Sequence, residues 1–179
     1  MDDEEDKANL IQVAKDVHKR LSAENDGLRM HKELTLKPSK TRGWRVELAS
    51  LGRGEPRLEV WFCQYAREGR RFFWYGFYAA QADKLGHLVN SLPESLREVQ
   101  EFSGLDMRLA SNTNDEYVLR MPLDSVNFNH PIYEEYQESG YRYSYYGKYD
   151  SFSPVNEETM PGIVARASNF FGEVLKARG

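Results

Sequence analysis

Trp44-Arg45-Val46-Glu47-Leu48, Leu58-Glu59-Val60-Trp61-Phe62-Cys63-Gln64-Tyr65 and Phe72-Phe73-Trp74-Tyr75-Gly76-Phe77-Tyr78 follow one another with only short turns between them. In the first run Trp44, Val46 and Leu48 fall on one side and Arg45 and Glu47 on the other, the period-two pattern of a half-buried strand. Gly52-Arg53-Gly54-Glu55-Pro56 reads as a turn, because glycine supplies unusual φ and proline fixes its own. Arg67-Glu68-Gly69-Arg70 is the second turn. Connections this short favour antiparallel neighbours over crossovers.

Outward from this meander the period changes. Leu10, Val13, Val17 and Leu21 repeat at helical spacing from Ala8 to about Glu24, and Asp26-Gly27 ends the pattern. At the other end Met160, Ile163, Val164, Ala167, Phe170, Phe171, Val174 and Leu175 form one apolar stripe behind the caps of Asn156-Glu157-Glu158-Thr159. The expected fold is therefore α+β: a twisted antiparallel sheet of about five strands, with N-terminal and C-terminal helices packed on one face. Leu28 to Leu36 alternates loosely, and Pro38-Ser39-Lys40 with Gly43 punctuates it. Gln81 to Leu92 predicts a further helix, broken or restarted at Pro93 and continued through Leu96 and Val99. Met107 to Ala110 and Tyr117 to Met121 predict a hairpin, and residues 122 to 155 read as irregular. Residues 1 to 7 are an acidic lead, either disordered or an acidic first turn, before a single domain from 8 to 179.

The chain has 179 residues, enough for a full core. Its net charge of −4 argues against a generic nucleic-acid coat, but the charge is uneven. Residues 2 to 6 carry five acids, whereas Arg29 to Arg71 holds eleven Lys/Arg against five Asp/Glu. From Glu134 to Glu158 acids again exceed bases, six to two. A basic patch on an acidic protein steers anionic partners through its local field. Cys63 is the only cysteine, so there is no internal disulfide and no thiol cluster for zinc. No apolar run approaches the roughly 20 residues of a membrane span. A cytoplasmic protein with no membrane partner is the expectation.

Catalytic patterns are sparse. Glu33, Glu47 and Glu59 lie on successive expected strands, and such carboxylates can bind Mg²⁺ in a divergent nuclease of the PD-(D/E)xK type. That class needs Glu-x-Lys; Glu47-Leu48-Ala49 and Glu59-Val60-Trp61 both lack the lysine. The other reading is a solvated face with cross-strand Arg–Glu pairs, worth fractions of a kcal/mol. His18, His31, His87 and His130 show no metal-site spacing, and His130, before Pro131, is the one with a catalytic reading. Cys63 reads as an inert strand residue. Gly52-Arg53-Gly54 lacks both the third glycine and the following helix of a phosphate loop. We expect no catalytic residue, no metal and no cofactor.

The basic and aromatic residues carry more. Lys40, Arg42, Arg45, Arg57, Arg70 and Arg71 cluster at strand ends and loops, where they can hold phosphates without reading sequence. Trp74, Tyr75, Tyr143 and Tyr145 are candidates for stacking on bases, each stack worth about 1–3 kcal/mol. The alternative is that the aromatics pack a core and the bases solvate turns. Seven of eleven tyrosines fall between Tyr133 and Tyr149, a composition that suits adaptable recognition and supports a second alternative, a protein-interaction module docking on a larger complex.

Helix, basic antiparallel strands, aromatic strand, helices, Tyr146-Gly147-Lys148-Tyr149-Asp150, an acidic cap at Asn156-Glu157-Glu158 and a closing amphipathic helix follow in that order over about residues 28 to 175. This order resembles the N-terminal DNA-binding domain of McrB-type modification-dependent restriction systems. The resemblance implies a non-enzymatic module of a phage-defence system that recognises a modified cytosine by flipping it from duplex DNA. A separate AAA+ GTPase and a nuclease subunit then do the work. The expected partner is nucleic acid, most directly DNA.

Overall fold

The structure, a computed structural model, describes residues 3–24, 28–39, 43–53, 55–64, 71–79, 88, 91–93, 102–110, 116–121, 142–150 and 155–178. Among these, helix α1 (Asp3–Glu24) opens the chain and helix α2 (Met160–Arg178) closes it. Between them lie β1 (Arg29–Met30), β2 (Leu36–Ser39), β3 (Gly43–Ser50), β4 (Arg57–Gln64), β5 (Arg71–Ala79), β6 (Phe102–Ala110), β7 (Glu116–Met121) and β8 (Arg142–Asp150). They form one eight-stranded antiparallel sheet in the order β1-β3-β4-β5-β8-β6-β7, with β2 also paired to β3. The α+β class, the antiparallel sheet and the two packed terminal helices are those the periodicities predict.

The core lies between the helices and one face of the sheet. Leu10, Val13, Ala14, Val17 and Leu21 of α1 are at most 1% exposed. From α2 come Ile163, Val164, Ala167, Phe170, Phe171 and Val174, the stripe read from the sequence. Facing them are Val46 and Leu48 of β3, Leu58, Val60 and Phe62 of β4, and Tyr75 and Phe77 of β5. Rings interlock at the centre: Phe77 meets Phe171 edge-on at 5.4 Å, and Tyr75 lies 5.7 Å from Phe170. Between Glu47 and Ala49 the β3–β4 register shifts, so Leu48 and Ala49 are both fully buried. The turn after β3 uses Gly52 at φ 144°, a conformation side chains rarely adopt.

α2 starts where its cap predicts. Asn156 Oδ1 accepts the backbone N–H groups of Glu158 and Thr159, both at 3.0 Å, and Thr159 Oγ1 accepts the Asn156 N–H at 3.0 Å. This reciprocal arrangement satisfies donors that the first turn would otherwise leave unpaired. Two long-range bonds tie the α1 surface down: Asn9 Nδ2 donates to the Val155 carbonyl at 2.8 Å, and His18 Nε2 meets the His31 carbonyl at 2.8 Å.

Several expectations need correction. Of the two readings of the acidic lead, the disordered one gives way to the acidic first turn: α1 begins at Asp3, and Asp6 is only 5% exposed. Negative charge in the first turn is favoured by the helix dipole, and Lys7 closes it by pairing with Glu4 at 2.8 Å and lying 4.3 Å over the Trp44 ring. Pro38 does not end its strand but sits inside β2, opposite Trp44, at a sheet edge where its missing N–H costs no ladder bond. The segment 122–155 is not wholly irregular, because β8 occupies its later part and lies between β5 and β6. The hairpin of β6 and β7 forms as read, with β6 starting earlier, at Phe102. Of the expected helix from Gln81 to Leu92 and its continuation, only Leu88, Ser91, Leu92 and Pro93 lie within the described residues; both leucines are buried.

Replacing a ring at the core centre tests this arrangement. Phe171→Ala should lower unfolding free energy by about 3–5 kcal/mol, and Asn156→Ala by about 1 kcal/mol. Urea denaturation followed by circular dichroism reads both.

Candidate functional site

Strand alternation places the remaining residues on the face opposite α1 and α2. Because neighbouring strands are in register, these residues line up in rows across the sheet. One row runs Lys37–Arg45–Trp61–Trp74–Tyr149 over five adjacent strands. The next runs Glu47–Glu59–Gly76–Gly147–Phe102. A third runs Arg29–Ser50–Arg57–Tyr78–Tyr145–Gly104. Two rows rich in cations and aromatics therefore flank one of acids and glycines.

Charges on β3 and β4 are linked across the middle row. Arg57 Nη1 donates to Glu47 Oε2 at 3.1 Å, and His31 Nε2 meets Glu47 Oε1 at 2.9 Å. Arg57 Nη2 lies 3.4 Å from Glu59 Oε1, close enough for attraction but without hydrogen-bond geometry. The Trp61 indole N–H donates to Glu59 Oε2. Above these, the Arg57 guanidinium lies 4.4 Å over the Tyr78 ring and the Arg45 guanidinium 5.9 Å from the Trp61 ring centre.

Glu59 is the unusual member. It is fully buried, and its Oε1 has no hydrogen-bond partner. A buried polar atom left unsatisfied costs about 1–3 kcal/mol, more if it is charged. Burial pushes the Glu59 carboxyl up from its ordinary value of 4.5; the pull of Arg57, the Trp61 bond and Arg45 oppose this without overcoming it. Burial likewise raises the Tyr78 phenol, against the pull of Arg57.

The residues singled out from sequence divide. Arg45 and Arg57 share the opposite face, but Arg57 is committed to Glu47, Glu59 and Tyr78. Trp74 pairs with Trp61, Tyr145 with Tyr78 and Tyr143 with Asp106, so their backbone positions bring them into or beside the same rows. Tyr75 does not belong there: it is 2% exposed, and its ring packs on Phe170 and Phe171, so it holds the core and is no surface for stacking. Arg71 opens β5 opposite Gln64, in the alternation of Tyr75 rather than of Trp74, and so is not brought to the Arg45 face. Lys40, Arg42 and Arg70 lie outside the described residues, as do His87 and His130.

Of the three carboxylates considered for a metal, Glu47 and Glu59 are register partners, while Glu33 is exposed in a bend before β2. The guanidinium of Arg57 sits between the two that meet, where a bridging cation would have to be. Among the described residues no group of three His, Cys, Asp or Glu side chains is placed to hold a metal, and no helix is long and apolar enough to cross a membrane. Sequence reading passed over Trp61, Gly76 and Gly147 as site residues. A glycine inside a strand pattern is the signal that was available, since it marks a bulge or a close approach.

A raised carboxyl pKa makes a signed prediction. The fold favours neutral Glu59, so its stabilising contribution is complete below pH 4.5 and is lost as pH rises through the higher folded-state value. Stability of the wild type relative to Glu59→Gln should therefore fall as pH rises from about 4 to about 8, measured by urea denaturation. A difference independent of pH would contradict it. In comparisons with known proteins, no family model, no curated protein and no solved structure matches this chain.

Proposed function

We propose that this chain is a non-enzymatic recognition domain that binds nucleic acid on the sheet face opposite α1 and α2. The observation that supports the reading is the row Lys37–Arg45–Trp61–Trp74–Tyr149, which alternates from cations at one edge to aromatics toward the sheet centre. Lys37 is exposed and Arg45 half-buried, with no carboxylate within ion-pair distance of Arg45 among the described residues. Cations beside a run of aromatic register positions suit a phosphate backbone running along the edge with bases turned over the sheet. DNA is the expected form, and a modified base in a duplex is what the resemblance to McrB-type modules adds.

Within this reading Arg45 holds phosphate, and Arg57 orders the site by spanning Glu47 and Glu59. The tyrosine-rich β8 has both ladders occupied by β5 and β6, so a protein partner cannot add a strand to it. That observation favours the nucleic-acid reading over docking by strand addition.

Fluorescence anisotropy with labelled single-stranded, duplex and cytosine-modified DNA, at two salt concentrations with and without Mg²⁺, tests the proposal. Binding should weaken as salt rises, because neutralised phosphates release counterions, and the DNA should remain intact on a gel afterwards. Arg45→Ala should weaken binding about ten-fold and reduce the logarithmic salt slope by about one. No binding at low salt would overturn the reading, and Mg²⁺-dependent cleavage would replace it with a nuclease.

A further inference from the structure

Between α1 and α2 lies an open groove of about 610 Å³. Its apolar lining is Val164, which is buried, Met160, which is half-buried, and Ala23 and Pro161, both exposed. Four exposed charged residues complete it: Asp16, Lys19 and Arg20 of α1, and Glu157 just ahead of α2. On α1 the groove residues Asp16, Lys19, Arg20 and Ala23 recur at three- and four-residue spacing, so they share one face, separate from the Val13, Ala14, Val17 and Leu21 stripe that meets the sheet. Asp16 precedes Lys19 and Arg20 by three and four residues, acid first, the order in which a helix most readily closes its own ion pair. That pair is not made. Asp16 accepts the Gln12 side-chain amide at 3.1 Å, and none of Asp16, Lys19, Arg20 or Glu157 has an ion pair among the described residues.

Two acids and two bases line the groove, so its formal charge is zero on a chain whose net charge is −4. Two copies of an acidic chain can approach at such a patch without setting like charges against each other locally. A patch of both signs is also complementary to itself wherever a two-fold axis carries its acids onto its bases. Along α1 the acid precedes the bases by about one turn, about 5 Å of axis. A second α1 laid antiparallel about an axis between them brings Asp16 of each copy opposite Lys19 and Arg20 of the other. From this placement we infer that the α1–α2 groove is the contact face of a symmetric homodimer, its occupant the same groove of a second copy. Such a contact is isologous and closes at two chains. Ala23, Met160, Pro161 and Val164 supply the apolar surface it covers, and the charges set its register and orientation. Exposed ion pairs are individually weak and screened by ions, so salt loosens the dimer. The inference goes beyond the nucleic-acid reading and does not rest on it, because the groove uses none of the sheet residues named there.

Analytical ultracentrifugation of the full chain, without nucleic acid, over a wide range of protein concentration and at two salt concentrations tests this. The wild type should show a monomer–dimer equilibrium whose Kd rises with salt. Lys19→Glu combined with Arg20→Glu makes all four groove charges negative and should weaken association about ten-fold or more. Asp16→Lys combined with Glu157→Lys makes all four positive and should do the same. Mixed in equal amounts, the two variants should pair with each other, because each then carries the charge that the other lacks. A fold damaged by either inversion would not give that rescue. The four positions are exposed, and circular dichroism checks that both variants fold. Lys15→Glu, exposed on α1 but outside the groove, should leave association unchanged. A wild type that stays monomeric at every concentration, a dimer indifferent to both inversions, or inverted variants that do not pair when mixed would each overturn the inference.

Discussion

Packing of Tyr75 and Phe77 against Phe170 and Phe171 sets the parity of the whole sheet. Once those two residues of β5 face the helices, Gly76 and Tyr78 take the positions of the other face, because side chains alternate along a strand. Register then carries the decision outward, to Arg57, Glu59 and Trp61 on β4 and to Tyr145, Gly147 and Tyr149 on β8. A slip of one residue would exchange the two faces entirely. With about 3–5 kcal/mol at risk for each aromatic ring in the core, the slipped register is strongly disfavoured. The composition of the opposite face thus depends on a contact made on the other side of the sheet.

The opposite face carries a buried carboxyl oxygen without a hydrogen-bond partner. A hydrophobic residue at position 59 would avoid both the desolvation of a carboxyl and the unsatisfied oxygen. Instead an acid is held in place by Trp61 and Arg57, and Arg57 is held in turn by Glu47, whose other oxygen meets His31. Arg57 cannot give its charge fully to a phosphate while it serves two carboxylates. Arg45 and Lys37, further along the neighbouring row, are better placed for that task.

Most of the frame was legible in the sequence. The stripes of α1 and α2 repeat without interruption, and β3, β4 and β5 are joined by turns short enough to fix their pairing. β8 was hidden because its partners are remote: its neighbours β5 and β6 are far away in the chain, and nothing local announces them. Pro38 misled because a proline ends an interior strand but not an edge strand. Alternation alone divides Trp74 from Tyr75 but does not say which of them meets the helices; Phe77 decides that only once Phe171 is seen against it. The burial of Glu59 was not readable for a related reason, since a period of two assigns a residue to a face and leaves open whether that face is covered.

Trp61 is the natural probe of this face, because its indole N–H donates to the buried carboxyl of Glu59. A ¹H–¹⁵N correlation spectrum titrated with a short cytosine-containing single strand would follow that resonance together with the backbone amides. The Trp61 indole signal and the amides of Arg45, Glu59, Gly76 and Gly147 should shift together and saturably, while those of α1 and α2 stay in place. Shifts confined to the helices, or none at all, would contradict it.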